Sequence, residues 1–413
     1  MSTVAATSKS ESLPPLPGLV TRKPRVVFLD VIRGLAALCV LLQHTTEEST
    51  SFTATDRPYL YWSFRWFNLG RVGVAAFFLV SGFLIPYSLE RVNSLRSFWI
   101  SRIFRLYPLF WFSLLVVVAF HLLGNDAMMK DYPPQFWQWK KVVLINVTML
   151  QQFVPPVIAR HLAIGGDHVP NAIGLYWTLT LELVFYILFS TLFALGINKR
   201  TLTFAWLGLL VMLAFAVAGA VKHKHVPVSD VGLLSFALLG TAAFRYYSGL
   251  ITRGQLSFLA VGAAIIFAIA FALGFDSPLK TPPNSEVWSS MSMYTSYLGG
   301  ALLFAIVFMF RADDFPFPLR WLGMISYSVY LLHYPCWLSL MWIPHHGALS
   351  APLWQLAVFT LTCLVASATY LLVEKPAVEL GKRLLHMPKP ATELGRPVQA
   401  MSPIGRVRMV TSG

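Results

Sequence analysis

Ile32–His44, IRGLAALCVLLQH, places an arginine near one end and a histidine at the other end of a run that is otherwise apolar enough to cross a membrane. Eleven positions at about 100° each make close to three turns, so Arg33 and His44 share one helix face, roughly 16 Å apart along the axis. Ionisable groups are costly within a bilayer, and two of them on one face read as two functional stations. The rest of the chain supports the membrane reading. Of 413 residues, 56% are hydrophobic and 12% charged, about half the charge of soluble domains, and the mean hydropathy is +0.63.

Apolar runs of about 17–24 residues, the length that a hydrocarbon core requires, predict spans near 27–46, 71–90, 104–124, 173–195 and 201–221. Five more follow near 231–247, 255–275, 291–310, 321–343 and 352–373. The run 142–155 is shorter, ends at Pro155 and Pro156, and reads as interfacial or re-entrant. The expected fold class is therefore an all-α polytopic membrane protein of about ten transmembrane helices, with N-terminus and C-terminus cytoplasmic. On that alternation the whole formal charge of +14 falls on the N-terminal side, as the positive-inside rule requires. Basicity of this origin gives no reason to invoke nucleic acid.

Residues 1–25 are rich in Ser, Pro and Lys/Arg and read as a disordered cytoplasmic tail. Residues 379–413 read as a basic cytoplasmic tail, and the cations after Glu374, including Lys375, Lys382, Arg383 and Lys389, suit anionic lipid heads. The segment 125–172 is expected at the outer mouth, as a lid or as a solvated loop with Trp137 and Trp139 at the lipid interface. His161, His168, His223, His225, His345 and His346 fall in loops and need no chemical role. Cys39, Cys336 and Cys363 lie in apolar segments without metal-ligand spacing and read as small hydrophobes, so no metal is expected.

Four further groups carry chemistry. Arg102 and Arg105 are three apart, hence neighbours on a helix surface, and suit a phosphorylated ligand through charge-assisted bonds. Arg91 and Arg96 read instead as positive-inside anchors, and Gly73, Ser81 and Gly82 as close helix packing. Glu182 sits in an apolar helix, where a carboxylate needs a partner; it either orients a histidine or is itself a base. His333 serves either catalysis or a helix-packing hydrogen bond. Asp30, three residues before Arg33, pairs with it or orients it.

LDVIRGLAALCVLLQH (29–44), GVAAFFLVSGFLI (73–85), SRIFRLYP (101–108), YWTLTLELVFY (176–186) and SYSVYLLHYP (326–335) occur in order and spacing that resemble the membrane acyltransferase 3 family. The resemblance covers roughly residues 25–378, so that 26–378 is expected to be one membrane acyltransferase domain. It implies an integral-membrane O-acyltransferase that uses cytoplasmic acyl-CoA, most often acetyl-CoA, as co-substrate, with no bound cofactor. It further implies a carbohydrate or glycolipid acceptor, polysaccharide-synthesis machinery as a partner, and the bacterial inner membrane as location. By the same resemblance His44, Glu182 and His333 are catalytic, Arg33, Arg102 and Arg105 bind the donor, and Trp177 and Tyr330 contact substrate. Val31 and Ser101 depart from the family pattern, which often has glycine at the first and arginine at the second.

Acyl transfer to a hydroxyl needs a base and an electropositive seat for a polyphosphate donor. Histidine, with an ordinary pKa near 6.5, is neutral and available at neutral pH. No serine has nucleophile-elbow surroundings, which leaves direct transfer or an acyl-histidine. A proton-coupled transporter or flippase of a polysaccharide precursor is the rival reading, since ten spans with buried Arg, His and Glu would also suit a carrier.

Overall fold

The computed structural model describes residues 26–49, 62–63, 65–123, 136–161, 172–222, 228–275, 289–312, 314–341 and 351–386. Both expected tails, apart from 379–386, lie outside the described residues, as do His168, His223, His225, His345 and His346. The ten long helices are α1 (Val27–Ser49), α2 (Leu69–Val92), α3 (Leu95–Leu122), α6 (Trp177–Ala194), α7 (Thr201–Lys222), α8 (Val228–Tyr247), α9 (Arg253–Phe275), α10 (Ser290–Met309), α11 (Phe317–Met341) and α12 (Ala351–Thr369). Two short helices, α4 (Phe136–Asn146) and α5 (Pro156–His161), fall between α3 and α6, and α13 (Lys375–His386) follows a π-helical segment, Tyr370–Glu374. Among the described residues, nine helices are long and apolar enough to cross a membrane. The tenth expected span, α11, has 25 residues but is diluted by Ser326, Tyr327, Ser328, Tyr330 and His333, of which Tyr327 and Tyr330 line the cavity described below.

Local chemistry sets the turns. Asn68 caps α2, its side chain accepting from the Arg71 backbone N–H at 2.8 Å. Asn93 ends α2 in the left-handed conformation at φ 50°, which asparagine tolerates better than most residues. Ser94 then caps α3. Two residues thus separate α2 from α3 and turn the chain between them.

Several helices meet backbone to backbone. A Cβ on Gly34 would stand 2.7 Å from the Gly323 backbone nitrogen, so α1 and α11 approach backbone to backbone. Gly73 likewise meets the Ala36 carbonyl of α1, and Gly82 meets Ala237 of α8. The glycines of the 73–85 motif therefore serve close packing, as expected of small residues in membrane interfaces. Ser81 does not, and donates a hydrogen bond to Glu182 instead (3.0 Å).

The 142–155 run does not span. Its helix, α4, has eleven residues, about 17 Å at 1.5 Å per residue, and the chain then turns through Met149 at φ 61°. Side chains of the neighbouring helices satisfy its carbonyls: Tyr107 donates to Thr148 at 3.1 Å, Trp111 to Val147 at 3.1 Å and Thr180 to Met149 at 2.7 Å. At the other terminus, helix continues past Glu374 through Lys375–His386. Gly381 of this α13 lies against the Phe104 side chain of α3.

Glu90 of α2 and Arg245 of α8 lock the end of the bundle where Asn198 turns the chain. Two guanidinium nitrogens of Arg245 donate to the two Glu90 oxygens at 2.6 and 2.5 Å, and Asn198 donates to the same carboxylate at 2.5 Å. Arg245 is 2% exposed, so removal of its partner would strand a buried charge. Glu90→Ala should destabilise the protein by about 3–5 kcal/mol, against about 1 kcal/mol for Asn198→Ala; thermal unfolding in detergent measures both.

Candidate active site

Five helices enclose one cavity. α1 contributes Arg33, α2 Phe77 and Ser81, α3 Arg102 and Arg105, α6 Thr178, Glu182 and Tyr186, and α11 Tyr327 and Tyr330. Its empty space, open mouth included, is about 740 Å³. The structure thus joins five residues separated by up to three hundred positions that the sequence singled out: Arg33, Arg102, Arg105, Glu182 and Tyr330.

The arginines cluster at one end. Arg33 stays 3.9 Å from Asp30, a loose pair one turn away, and faces Arg105, Glu374 and Glu182 electrostatically. Arg102 lies over the rings of Phe98 (5.3 Å) and Tyr186 (5.5 Å). Its Nε is buried with no hydrogen-bond partner among the described residues. Leaving a buried charged donor unsatisfied is costly, and an anionic ligand would complete it. Ser101, where relatives often carry arginine, is exposed and bonds back to Ser97 at 2.7 Å, outside the cavity lining. Val31, the other departure, is buried in the core.

Glu182 accepts hydrogen bonds on one oxygen from Ser81 (3.0 Å) and Tyr186 (2.6 Å). Tyr186 therefore links the carboxylate to the Arg102 guanidinium that lies over its ring. Neither histidine lines this cavity; the contacts of Glu182 tie it to the arginine end. Glu374, which the sequence reading treated only as a span end, is 5% exposed and accepts from Ser328 at 3.2 Å. It faces Arg105 and Arg33, so the π-helical segment aims a carboxylate at the arginine group. The cue in the sequence was a glutamate preceding Lys-Pro at the close of the last apolar run.

At the other end Tyr330 closes the cavity. Its hydroxyl is 2.6 Å from Thr178 Oγ1 and 3.1 Å from the Leu175 carbonyl. One turn further along α11, His333 is 1% exposed and stacks on His44, with centroids 5.4 Å apart and planes at 23°. His333 Nδ1 is 3.1 Å from the Val329 carbonyl. A carbonyl only accepts, so Nδ1 carries the hydrogen and Nε2 presents its lone pair. That Nε2 is buried without a hydrogen-bond partner among the described residues. Trp177, half-buried, lies outside the cavity lining and stacks under Arg71, whose guanidinium carbon is 5.4 Å from the ring centre.

A helical membrane protein with an arginine-lined cavity that ends at Tyr330, one helix turn from a buried His333 stacked on a half-buried His44, is equipped to hold an anionic ligand near an imidazole pair. A family model described as an acyltransferase domain, the acyltransferase 3 type, matches residues 26–371, and the chain belongs to that family. It is similar to the putative peptidoglycan O-acetyltransferase YrhL of Bacillus subtilis, at 25% identity over 86% of this chain and 55% of the relative. Similarity extends to the peptidoglycan O-acetyltransferase OatA of Listeria monocytogenes, at 25% over 75% of this chain and 49% of the relative. The O-acetyltransferase OatA of Staphylococcus aureus is 23% identical over 90% of this chain and 60% of the relative. The chain thus spans about half to three-fifths of these relatives. No solved structure matches it.

Proposed function

We propose that this protein is an integral-membrane O-acyltransferase that moves an acyl group, acetyl by analogy with the relatives, from acyl-CoA to a carbohydrate hydroxyl. The observation that carries the reading is the buried, unsatisfied Arg102 Nε beside Arg33 and Arg105 at one end of a cavity that runs to Tyr330. Guanidinium groups bind phosphate through charge-assisted and bidentate hydrogen bonds, so the donor's phosphates belong at the arginine end and its acyl arm points toward Tyr330. His333 Nε2 takes the proton of the acceptor hydroxyl as the hydroxyl oxygen attacks the thioester carbon. The C–S bond breaks, and the thiolate of coenzyme A recovers that proton from the imidazolium.

The positive-inside charge pattern puts the arginine end at the cytoplasm, where acyl-CoA is made, and the histidine pair toward the outer face of a bacterial inner membrane. Glycan or glycolipid then meets the acyl group from outside, with peptidoglycan among the candidates because relatives are named for it.

Purified protein in detergent, supplied with radiolabelled acetyl-CoA and glycan or glycolipid extracts, should form labelled, base-labile ester. A carrier would form none, since its work needs a gradient. Product from the parent protein but not from Arg33→Ala at equal abundance supports the enzyme; absence of product across donors and extracts overturns it. Cysteines introduced near Thr46 and near Asn198, as at the exposed Lys199, should label from opposite sides of sealed vesicles, and labelling from one side overturns the topology.

A further inference from the structure

A second cavity lies behind α2, between α8, α9 and α10, and nothing in the acyl-transfer reading uses it. Its walls include Leu79, Phe236, Leu259, Ala263, Leu302 and Phe308, and it contains about 1070 Å³ of empty space, including its open side. Leu298, Leu302 and Ala305 line it and are exposed on the outside of the bundle, so it opens sideways, where lipid would stand. The lining runs from Leu256 to Phe267 on α9 and from Tyr294 to Phe308 on α10, about 17 Å and 21 Å at 1.5 Å per residue. One leaflet of hydrocarbon is about 15 Å deep, half of the ~30 Å core. Water has almost no polar partners here, and an empty void would forfeit the dispersion contacts of its walls. A hydrocarbon chain satisfies both conditions.

The charge at the rim selects the lipid. Arg311 stands with its guanidinium carbon 4.7 Å from the centre of the Phe308 ring, which lines the cavity, and Nη1 donates to the Phe308 carbonyl at 3.1 Å. Arg253 begins α9 one turn before Leu256. Both arginines are exposed and mark the end of the bundle that the charge pattern assigns to the cytoplasm. We propose that this cavity holds one acyl chain of an anionic phospholipid whose phosphate sits at Arg311. The bound chain lies against Leu79, two residues from Ser81 on the opposite side of α2, and so fills in behind the helix that carries one donor to Glu182.

The full chain, purified into nanodiscs, is tested with phosphatidylglycerol or phosphatidylcholine bearing a photoactivatable group on one acyl chain, and the labelled peptides are mapped. The phosphatidylglycerol probe should label α9 and α10 around the cavity well above the surface of α7, where Leu207, Leu210 and Val211 are exposed. Ala264→Phe or Ala305→Phe should abolish that enrichment by filling the space. Arg311→Glu, at an exposed position that leaves the fold intact, should cut phosphatidylglycerol labelling at least about fivefold and leave phosphatidylcholine labelling unchanged. Equal labelling of α7 and the cavity helices, or enrichment that survives the phenylalanine variants, overturns the proposal. Crosslinking of α9 or α10 to a second copy in place of lipid overturns it as well.

Discussion

His333→Ala is expected to lower acetyl transfer by about 10²–10⁴-fold, the usual contribution of a positioned general base, with little change in KM for acetyl-CoA. The reason lies in the geometry of one ring. Its Nδ1 is committed to the Val329 carbonyl one turn earlier on α11, at 3.1 Å, so Nε2 is the basic nitrogen. Burial removes water from that nitrogen and leaves it without a hydrogen-bond partner among the described residues. His44 stacks on the same ring, with centroids 5.4 Å apart and planes at 23°, and so helps to fix the plane in which Nε2 presents its lone pair. His44→Ala should also be strongly impaired, and the double variant should be little worse than either single one, because residues that act as a unit are not additive. Activity of the parent should fall on acidification, since the base works only while neutral. Nearly full transfer by His333→Ala with loss in His44→Ala would reassign the base to His44.

Much of this architecture was legible because the bilayer reduces the problem to counting. Nine of the ten expected spans stand as long apolar helices among the described residues, and the tenth is a helix, α11, whose serines, tyrosines and histidine leave it short of the apolar character of the other nine. The 142–155 run was legible as non-spanning for the same reason, being too short for the core. Arg33, Arg102 and Arg105 were visible as charges next to apolar runs, and the structure draws all three to one cavity. What no one-dimensional pattern carried was convergence across elements. Ser81 sits in a small-residue motif that elsewhere packs helices, yet its hydroxyl is one of the two donors to Glu182. Tyr186 ends the 176–186 motif with no role of its own in the sequence reading, and it becomes the link between Glu182 and Arg102. Glu374 ends an apolar run and looked like a boundary residue; a π-helical turn rotates it inward to Ser328 and the arginines. Arg245, within the 231–247 span, belongs to no motif of the sequence, yet it is buried and clasped by Glu90.

Arg102→Ala and Arg105→Ala should each raise KM for acetyl-CoA by about 10- to 150-fold while changing kcat less, which steady-state kinetics in detergent would show. The magnitude follows from hydrogen bonds to charged groups at about 1.5–3 kcal/mol, with each 1.36 kcal/mol a factor of ten. Arg102 is the sharper case. Its guanidinium carbon lies 5.3 and 5.5 Å from the ring centres of Phe98 and Tyr186, and its buried Nε has no hydrogen-bond partner among the described residues to lose. Lysine supplies the charge without the plane or the fork of donors, so Arg102→Lys should recover only a small part of the loss. Arg96 provides the contrast: one and a half turns earlier on the same helix it is exposed and lies outside the cavity lining. Arg96→Ala should leave KM within about twofold, as expected for an exposed charge screened by solvent. An equal rise in KM for Arg96→Ala and Arg102→Ala would mean that the donor feels only the general positive charge of this face, and the cavity would lose its assignment as the phosphate seat.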